Sequence, residues 1–315
     1  MQNETDSQHL IGDLIKDILK EKRSDKRWKN LRFFAGLFFV IAVFALIFSG
    51  STQTSLSDGD GDSYVSLIRL NGMIGPGQDF SAENVIPILK MAFKDKDSKG
   101  VILDINSGGG TPVQASIIHD SIIDLKKKYN KKVVVVGEDT LASGAYFVAV
   151  SADKIYVNPN SITGSIGVIM KGFGFPELIK KIGVERRVYT AGSEKDRLDP
   201  FLPQNPQDIV KIDKVIKEIH ENFKNAVILG RKGKLANDTS GIFSGDFWSG
   251  RTALKLGIID GLGNLNNVMI KEFKVARFKD YTSSRSVLKN IASSMGASID
   301  NMLKESSDVK VLEKL

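Results

Sequence analysis

Two stretches of this chain hold residue types that could carry out acyl chemistry: "NSGGGTP" at residues 106–112 and "DTLASGAYFVAV" at residues 139–150. A Walker-type phosphate cradle needs Gly-Lys followed by Ser or Thr. Thr111-Pro112 follows the glycines here, which argues against nucleotide binding. The other use of such a loop is an oxyanion hole: backbone N–H groups without side chains in the way can face a developing negative charge, with a helix start behind them. Taken alone, Gly-Gly-Gly reads better as a tight turn. Ser143 has the same ambiguity, because serine is a favoured helix cap and "SGAYFVAVSA" looks like a small-residue helix packed on a sheet. A nucleophilic serine also needs a base. The usual one is absent nearby: His9 lies in the amino-terminal tail, and His119 and His220 fall in helical segments without partners at metal-ligand spacing, which reads as surface or satisfied histidine.

Lysine is the remaining base. It normally holds its proton to a pKa near 10.4, so it serves only where burial or neighbouring cations lower that value. Lys126, Lys127, Lys128, Lys131 and Lys132 read as a solvent-facing helix end and turn, and Lys180 and Lys181 read likewise. Lys195, in "YTAGSEKDRLDPF", differs because it follows a strand-like "VERRVYTAG" in a loop, although a surface lysine fits that setting too.

The elements around these residues alternate. "YVSLIRLNGMI" reads as a strand ending in a glycine turn, and a helix from about Ser81 to Phe93 follows, with Ser81 as cap. "GVILDINSGGGTPVQASIIHDSIIDLKKKY" gives a buried strand, a glycine loop and a helix with Pro112 near its start. "KKVVVVGEDTLASGAYFVAVSADKIYV" repeats the scheme and adds a strand. Such alternation implies an α/β fold with a largely parallel sheet. Ligands gather at the carboxyl ends of strands in these sheets, where both the triple glycine and Ser143 fall.

The chain has 315 residues, 42% of them hydrophobic, enough for a real core. The absence of cysteine excludes disulfides, thiolate metal sites and cysteine nucleophiles. The net charge of +7 is spread along the chain without base-stacking aromatic motifs, so nucleic acid is not the expected partner. Residues 33–48, "FFAGLFFVIAVFALIF", carry no charge and with their flanks approach bilayer length. A strongly basic stretch precedes them and a polar, acidic one follows, which places the amino terminus in the cytoplasm and the remainder outside it. The upstream basic region is too long, and "LIFSGS" too poor a cleavage site, for a signal peptide. The expected organisation is a cytoplasmic basic tail (1–30), a transmembrane anchor (31–50), a linker (51–63), a catalytic domain (64–280) and an amphipathic helical tail (281–315).

Four ordered motifs from about Tyr64 to Asn267 resemble the short bacterial form of the signal peptide peptidase A family, membrane-bound serine proteases with a Ser–Lys dyad. "LDINSGGGTPVQAS" resembles the oxyanion loop and "DTLASGAYFVAVSADKIYVNPNSITGSIGVI" the nucleophile region. "AGSEKDRLDPF" resembles the lysine loop and "SGDFWSGRTALKLGIIDGLG" the closing segment. The resemblance implies Ser143 as nucleophile, Lys195 as general base and Ser165 as the serine that orients the lysine. It also implies an oxyanion hole from Gly109 and Gly110 with the N–H of Gly144. Gly108 departs from the proline usual there, and Ser193-Glu194 from the tyrosine common before the lysine; a nearby Glu194 would raise the pKa of the lysine.

The implied fold is a ClpP/crotonase-like spiral of strand-strand-helix units behind an N-terminal transmembrane helix. No cofactor or metal is implied. The implied substrates are remnant signal peptides with small or apolar side chains. The implied assembly is a homo-oligomeric ring in which Ser143 of one protomer meets Lys195 of the next. The competing readings are a SohB-like membrane peptidase with another substrate, a non-catalytic scaffold of the same fold, and a crotonase-like acyl-CoA enzyme, which an extracytoplasmic location disfavours.

Overall fold

The computed structural model describes residues 32, 34–39, 63–237 and 241–282. Residues 1–53 and 54–315 form separate compact units. In the first, residues 32 and 34–39 are helical. The rest of the expected anchor, the basic tail, nearly all of the linker and all of the terminal tail beyond residue 282 lie outside the described residues. No helix among the described residues is long and apolar enough to cross a membrane.

The second unit follows the expected alternation. Strand β1 (Tyr64–Asn71) leads to helix α1 (Ala82–Lys94), β2 (Ser98–Ser107), α2 (Pro112–Tyr129), β3 (Val133–Ala142), the short α3 (Gly144–Ala149), β4 (Lys154–Val157) and β5 (Ile162–Gly164). After α4 (Pro176–Lys181) and the long α5 (Pro206–Gly230) come β6 (Phe247–Ser249), α6 (Gly250–Lys255), β7 (Gly261–Leu262), α7 (Leu265–Phe273) and β8 (Phe278–Asp280). The strands form one sheet in the order β6-β5-β3-β2-β1-β8, with β4 also beside β3 and β7 beside β4. Every pairing is parallel except β5 with β6.

Alternation along the strands sorts the core into two faces. Ile68 and Leu70 of β1, Leu103 and Ile105 of β2 and Val133 and Val135 of β3 pack beneath α1, α2, α3 and the end of α5. Val65, Leu67, Ile102, Val134 and Val136 face the other way, against Val268, Met269 and Phe273 of α7. Strands buried on both faces read as continuous apolar runs, which is why "VVVV" and "GVIL" are recognisable. Fully burying each such side chain contributes roughly 1.5–3 kcal/mol. The helix ends follow local chemistry: Ser81 accepts from the Asn84 N–H, and α2 starts at Pro112 and ends on the left-handed Asn130.

Two expectations are corrected. The strand-like "VERRVYTAG" forms no strand. Residues 184–192 lie almost wholly on the surface, and no strand among the described residues pairs with them, so their β-branched and aromatic residues have neither a ladder nor a buried face to sustain a strand. The lysine run at the end of α2 is not simply solvated. Lys126 reaches the Ser151 carbonyl and Asp153, Lys131 reaches the Ala92 and Asp95 carbonyls, and Lys132 pairs with Glu272. Long side chains of this kind span from an apolar stem to a distant acceptor, which helical periodicity does not reveal.

Candidate active site

The triple glycine leaves the carboxyl end of β2 and is tied down at each step. Ser107 Oγ accepts from the Gly109 N–H at 3.1 Å. The Ile74 N–H donates to the Gly109 carbonyl and the Thr111 N–H to the Ile74 carbonyl, each at 2.9 Å. This stitching fixes why glycines are required. A methyl group at Gly110 would fall 1.9 Å from the Ile74 oxygen, and one at Gly109, where φ is +98°, would fall 2.6 Å from the Gly144 nitrogen and 2.8 Å from Ser143 Cβ. The glycine loop and the Ser143–Gly144 turn are therefore in direct backbone contact. The Gly144 side of that contact is equally close, since a methyl there would come 3.2 Å from the Gly110 nitrogen. Gly108 is exposed and crowds nothing within 4 Å, so its lack of proline leaves the loop's anchoring intact.

Ser143 sits at the strand-to-helix turn between β3 and α3 and is half-buried. It occupies the cap position, but its side chain makes no capping hydrogen bond, and its backbone is at φ 52°, ψ −126°. That conformation is rare for a non-glycine residue, costs about 1–3 kcal/mol, and persists only where surroundings over-determine it. Sharp, strained turns of this kind carry nucleophilic serines at strand ends in α/β-hydrolases. The Ser143 N–H is held by the Gly164 carbonyl at 2.9 Å.

The same interaction places Ser165. Ala142 of β3 is paired with Gly164 of β5, so Ser143 and Ser165 are the next residues beyond two paired strand ends. Ser165 is also left-handed, at φ 51°, and its N–H donates to the Asp246 carbonyl at 2.7 Å. Trp248 of β6 lies over Gly164, where a methyl would meet the indole at 2.6 Å. Asn106 braces the neighbouring irregularity, where Ile105 pairs with Gly137 but Ser107 with Leu141; its side chain accepts from the Thr140 N–H at 3.1 Å.

Lys195 lies apart from this frame. It is exposed, and among the described residues its side chain makes no hydrogen bond or ion pair with Ser143 or Ser165. It lies on a surface arm running from about residue 168 to 212, rich in exposed apolar groups: Ile169, Phe173, Ile182, Tyr189 and Val210 are 74%, 83%, 65%, 90% and 70% exposed. Stacked Phe173 and Phe175, together with Phe201 under the Arg186 guanidinium, give the arm a small apolar centre of its own. Glu194 is turned to Arg197 and to the Ser193 hydroxyl rather than to Lys195.

The sequence brought forward Ser143, Ser165 and the three glycines, and the fold gathers all five at one place. It gave no notice of Ile74, whose backbone secures the glycine loop, because a carbonyl's use leaves no trace in residue type. Ser107 and Asn106 were visible only as part of a motif.

Comparison with known proteins follows the same span. Residues 125–280 match Peptidase family S49. Over 200 residues the chain is 31% identical to a putative protease of Synechocystis, covering 63% of this chain and 69% of that one. It is 29% identical over 247 residues to a putative signal peptide peptidase SppA of Enterococcus faecium, covering 75% and 71%. A protein of Brucella abortus named Na(+)/H(+) antiporter NhaA is 46% identical over 217 residues, which are 67% of this chain and 29% of that protein. The chain thus spans less than a third of that relative, and a name given to the whole protein carries no transport function to the matched part. The family match spans Ser143, Gly144 and Ser165, and with the Synechocystis relative it shows that the chain belongs to peptidase family S49.

Proposed function

We propose that this chain is a membrane-anchored serine endopeptidase that degrades cleaved signal peptides with a Ser143–Lys195 dyad. The observation that carries the proposal is the contact between the strained Ser143–Gly144 turn and the Gly109–Gly110 loop, which sets a hydroxyl beside backbone N–H donors. Ser143 Oγ forms a bond to the peptide carbonyl carbon while its proton passes to neutral Lys195 Nζ. The amides of Gly110 and Gly144 supply donors for the oxyanion, and the Gly109 N–H joins them on leaving Ser107 Oγ, to which it donates in this structure. As the C–N bond breaks, Lys195 returns the proton to the leaving amine, and water then hydrolyses the acyl-enzyme by the same route. Ser165 orients the lysine.

A lysine acts as a base only where burial or neighbouring cations favour its neutral form. Lys195 is exposed in one protomer and stands on an arm whose apolar groups are uncovered, which supports burial by a second copy. The proposed assembly is a homo-oligomeric ring at the cytoplasmic membrane, with catalytic domains outside the cytoplasm and each site built from Ser143 of one protomer and Lys195 of its neighbour. The test is cleavage of a signal-peptide-like fluorogenic substrate by the full chain, alongside Ser143→Ala, Lys195→Ala and an equimolar mixture of the two. Loss in each variant with partial return after subunit exchange is the expected result. Retained turnover in Ser143→Ala refutes the protease reading, and an inactive mixture with both single variants inactive refutes sharing.

A further inference from the structure

The long helix α5 carries, just past its midpoint, a histidine that the proposed chemistry does not use. More than half of its residues are exposed; Ile212, Val215, Ile216, Ile219 and His220 are half-buried, and full burial is reached at Phe223, Ala226 and Val227. His220, Phe223 and Val227 recur at the spacing of one helical face. Phe223 is buried against Phe147, which in turn meets His119 edge-on, the ring centroids lying 5.0 and 5.1 Å apart. Phe147 belongs to α3, and its N–H donates to the Ser143 carbonyl at 3.0 Å. One turn earlier on the same face, His220 Nε2 lies 3.1 Å from the Ile166 carbonyl oxygen. A carbonyl only accepts, so the ring is in the tautomer that carries its proton on Nε2, or is doubly protonated.

That carbonyl lies within the turn containing Ser165. The turn runs Gly164 (φ 100°), Ser165 (φ 51°), Ile166 and Gly167, with Gly167 N–H donating to the Ser165 carbonyl at 3.0 Å. A non-glycine residue in the left-handed region needs its neighbours fixed to stay there. On one side the Ser165 N–H is fixed by Asp246, and the Gly164 carbonyl by Ser143. On the other side the anchors are the buried Ile166 side chain and the His220 bond.

We infer that His220 is a positioning residue: through its hydrogen bond to the Ile166 carbonyl it holds Ser165 at the angle needed to orient the catalytic lysine, while Phe223 on the same helix face braces the nucleophile helix. The inference rests on the Ser–Lys reading. Ser165 donating to the neutral lysine amine favours its unprotonated form, so loosening Ser165 raises the kinetic pKa of the acid limb.

The experiment uses the full chain with the same fluorogenic peptide and compares His220→Leu, His220→Gln, Ser165→Ala and His220→Leu/Ser165→Ala, with thermal midpoints for all. His220→Leu is expected to lower kcat about tenfold with KM within about twofold, the size of one lost hydrogen bond expressed in the transition state, and to move the acid limb upward. His220→Gln, which keeps an N–H donor, recovers most of the rate. In the Ser165→Ala background the His220→Leu substitution costs less than about twofold, since the two act through one group. Losses that multiply in the double variant, an unmoved acid limb, or a fall in thermal midpoint with unchanged kcat in the folded fraction would overturn the inference. Failure of the underlying reading is separately visible, because Ser143→Ala or Lys195→Ala would then keep its activity.

Discussion

Asp104→Asn tests how a buried charge shapes the stability of this sheet. Asp104 of β2 is 3% exposed, and its Oδ2 accepts from Arg69 at 2.8 Å; Arg69 in turn donates to Asp280 at 2.9 Å. Burial above all, then the charge of Glu138 nearby, pushes the Asp104 carboxyl up from 3.8 to about 6, against the pull of Arg69; Asp280 adds to the rise. A carboxyl raised in the folded state binds more protons there than in the unfolded chain between pH 4 and 6, so stability falls as pH rises through that window and is level above it. A rise of about two pKa units corresponds to about 3 kcal/mol, an upper figure because Arg69 is partly solvated. Asparagine keeps an acceptor for Arg69 and cannot ionise. The variant should match the wild type near pH 4 and exceed it by about 1–3 kcal/mol at pH 8, read from urea unfolding at fixed pH. Glu272 and Asp95, both held down to about 2, act mainly below about pH 4.5 and do so equally in wild type and variant, so they cancel from the difference. A variant less stable than wild type at pH 8, or a constant difference from pH 4 to 8, refutes the reasoning.

Gly110→Ala places a methyl 1.9 Å from the Ile74 oxygen, so the loop must move; kcat/KM should fall at least about 100-fold, the scale of a lost oxyanion donor, and near-normal turnover would contradict the loop's role. Asp260→Ala removes the carboxylate partner of Arg231, which is 1% exposed, and should cost about 3 kcal/mol or more, measured as a clear drop in thermal midpoint. Glu272→Gln tests the opposite sign from Asp104: burial would raise the Glu272 carboxyl, but hydrogen bonds from Lys132, Tyr156 and Lys154 outweigh it and bring it to about 2. Wild type should therefore exceed this variant above about pH 4.5, with the difference shrinking as pH falls towards 2; a difference that grows on acidification would exclude the assignment.

What the sequence made legible follows from how each feature is encoded. Apolar runs bounded by glycine identify β2 and β3 because a strand buried on both faces has no room for polar residues, and the cap at Ser81 and the proline at 112 mark helix starts through local chemistry. The placing of Ser143 beside Gly109 was foreseeable from strand-end topology. Its backbone strain was not, because serine gives no sign of φ 52° and a cap position predicts the opposite use of its side chain. The arm misled for the same kind of reason: Val184, Val188, Tyr189 and Thr190 are residue types that strands favour, but such a preference yields a strand only where a partner ladder and a packed face exist. His220 read as an ordinary satisfied histidine, and satisfied it is; what it satisfies became visible only when α5 was folded back onto the residue after Ser165.

The site is divided into parts of unequal rigidity, and the division follows from the topology. Ser143 and Ser165 extend paired strands and share a backbone hydrogen bond, and the glycine loop is locked to both Ile74 and Gly144, so these groups form one unit whose two left-handed serines are stabilised by the same sheet that builds the core. Lys195 belongs to a surface arm with no strand pairing. On the proposed Ser–Lys reading, placing the lysine on an exposed arm rich in apolar groups makes arrival of the base depend on covering that arm. Burial of the arm then does two things at once: it removes apolar surface from water, which drives association, and it dehydrates the ammonium, which favours the neutral amine the chemistry needs.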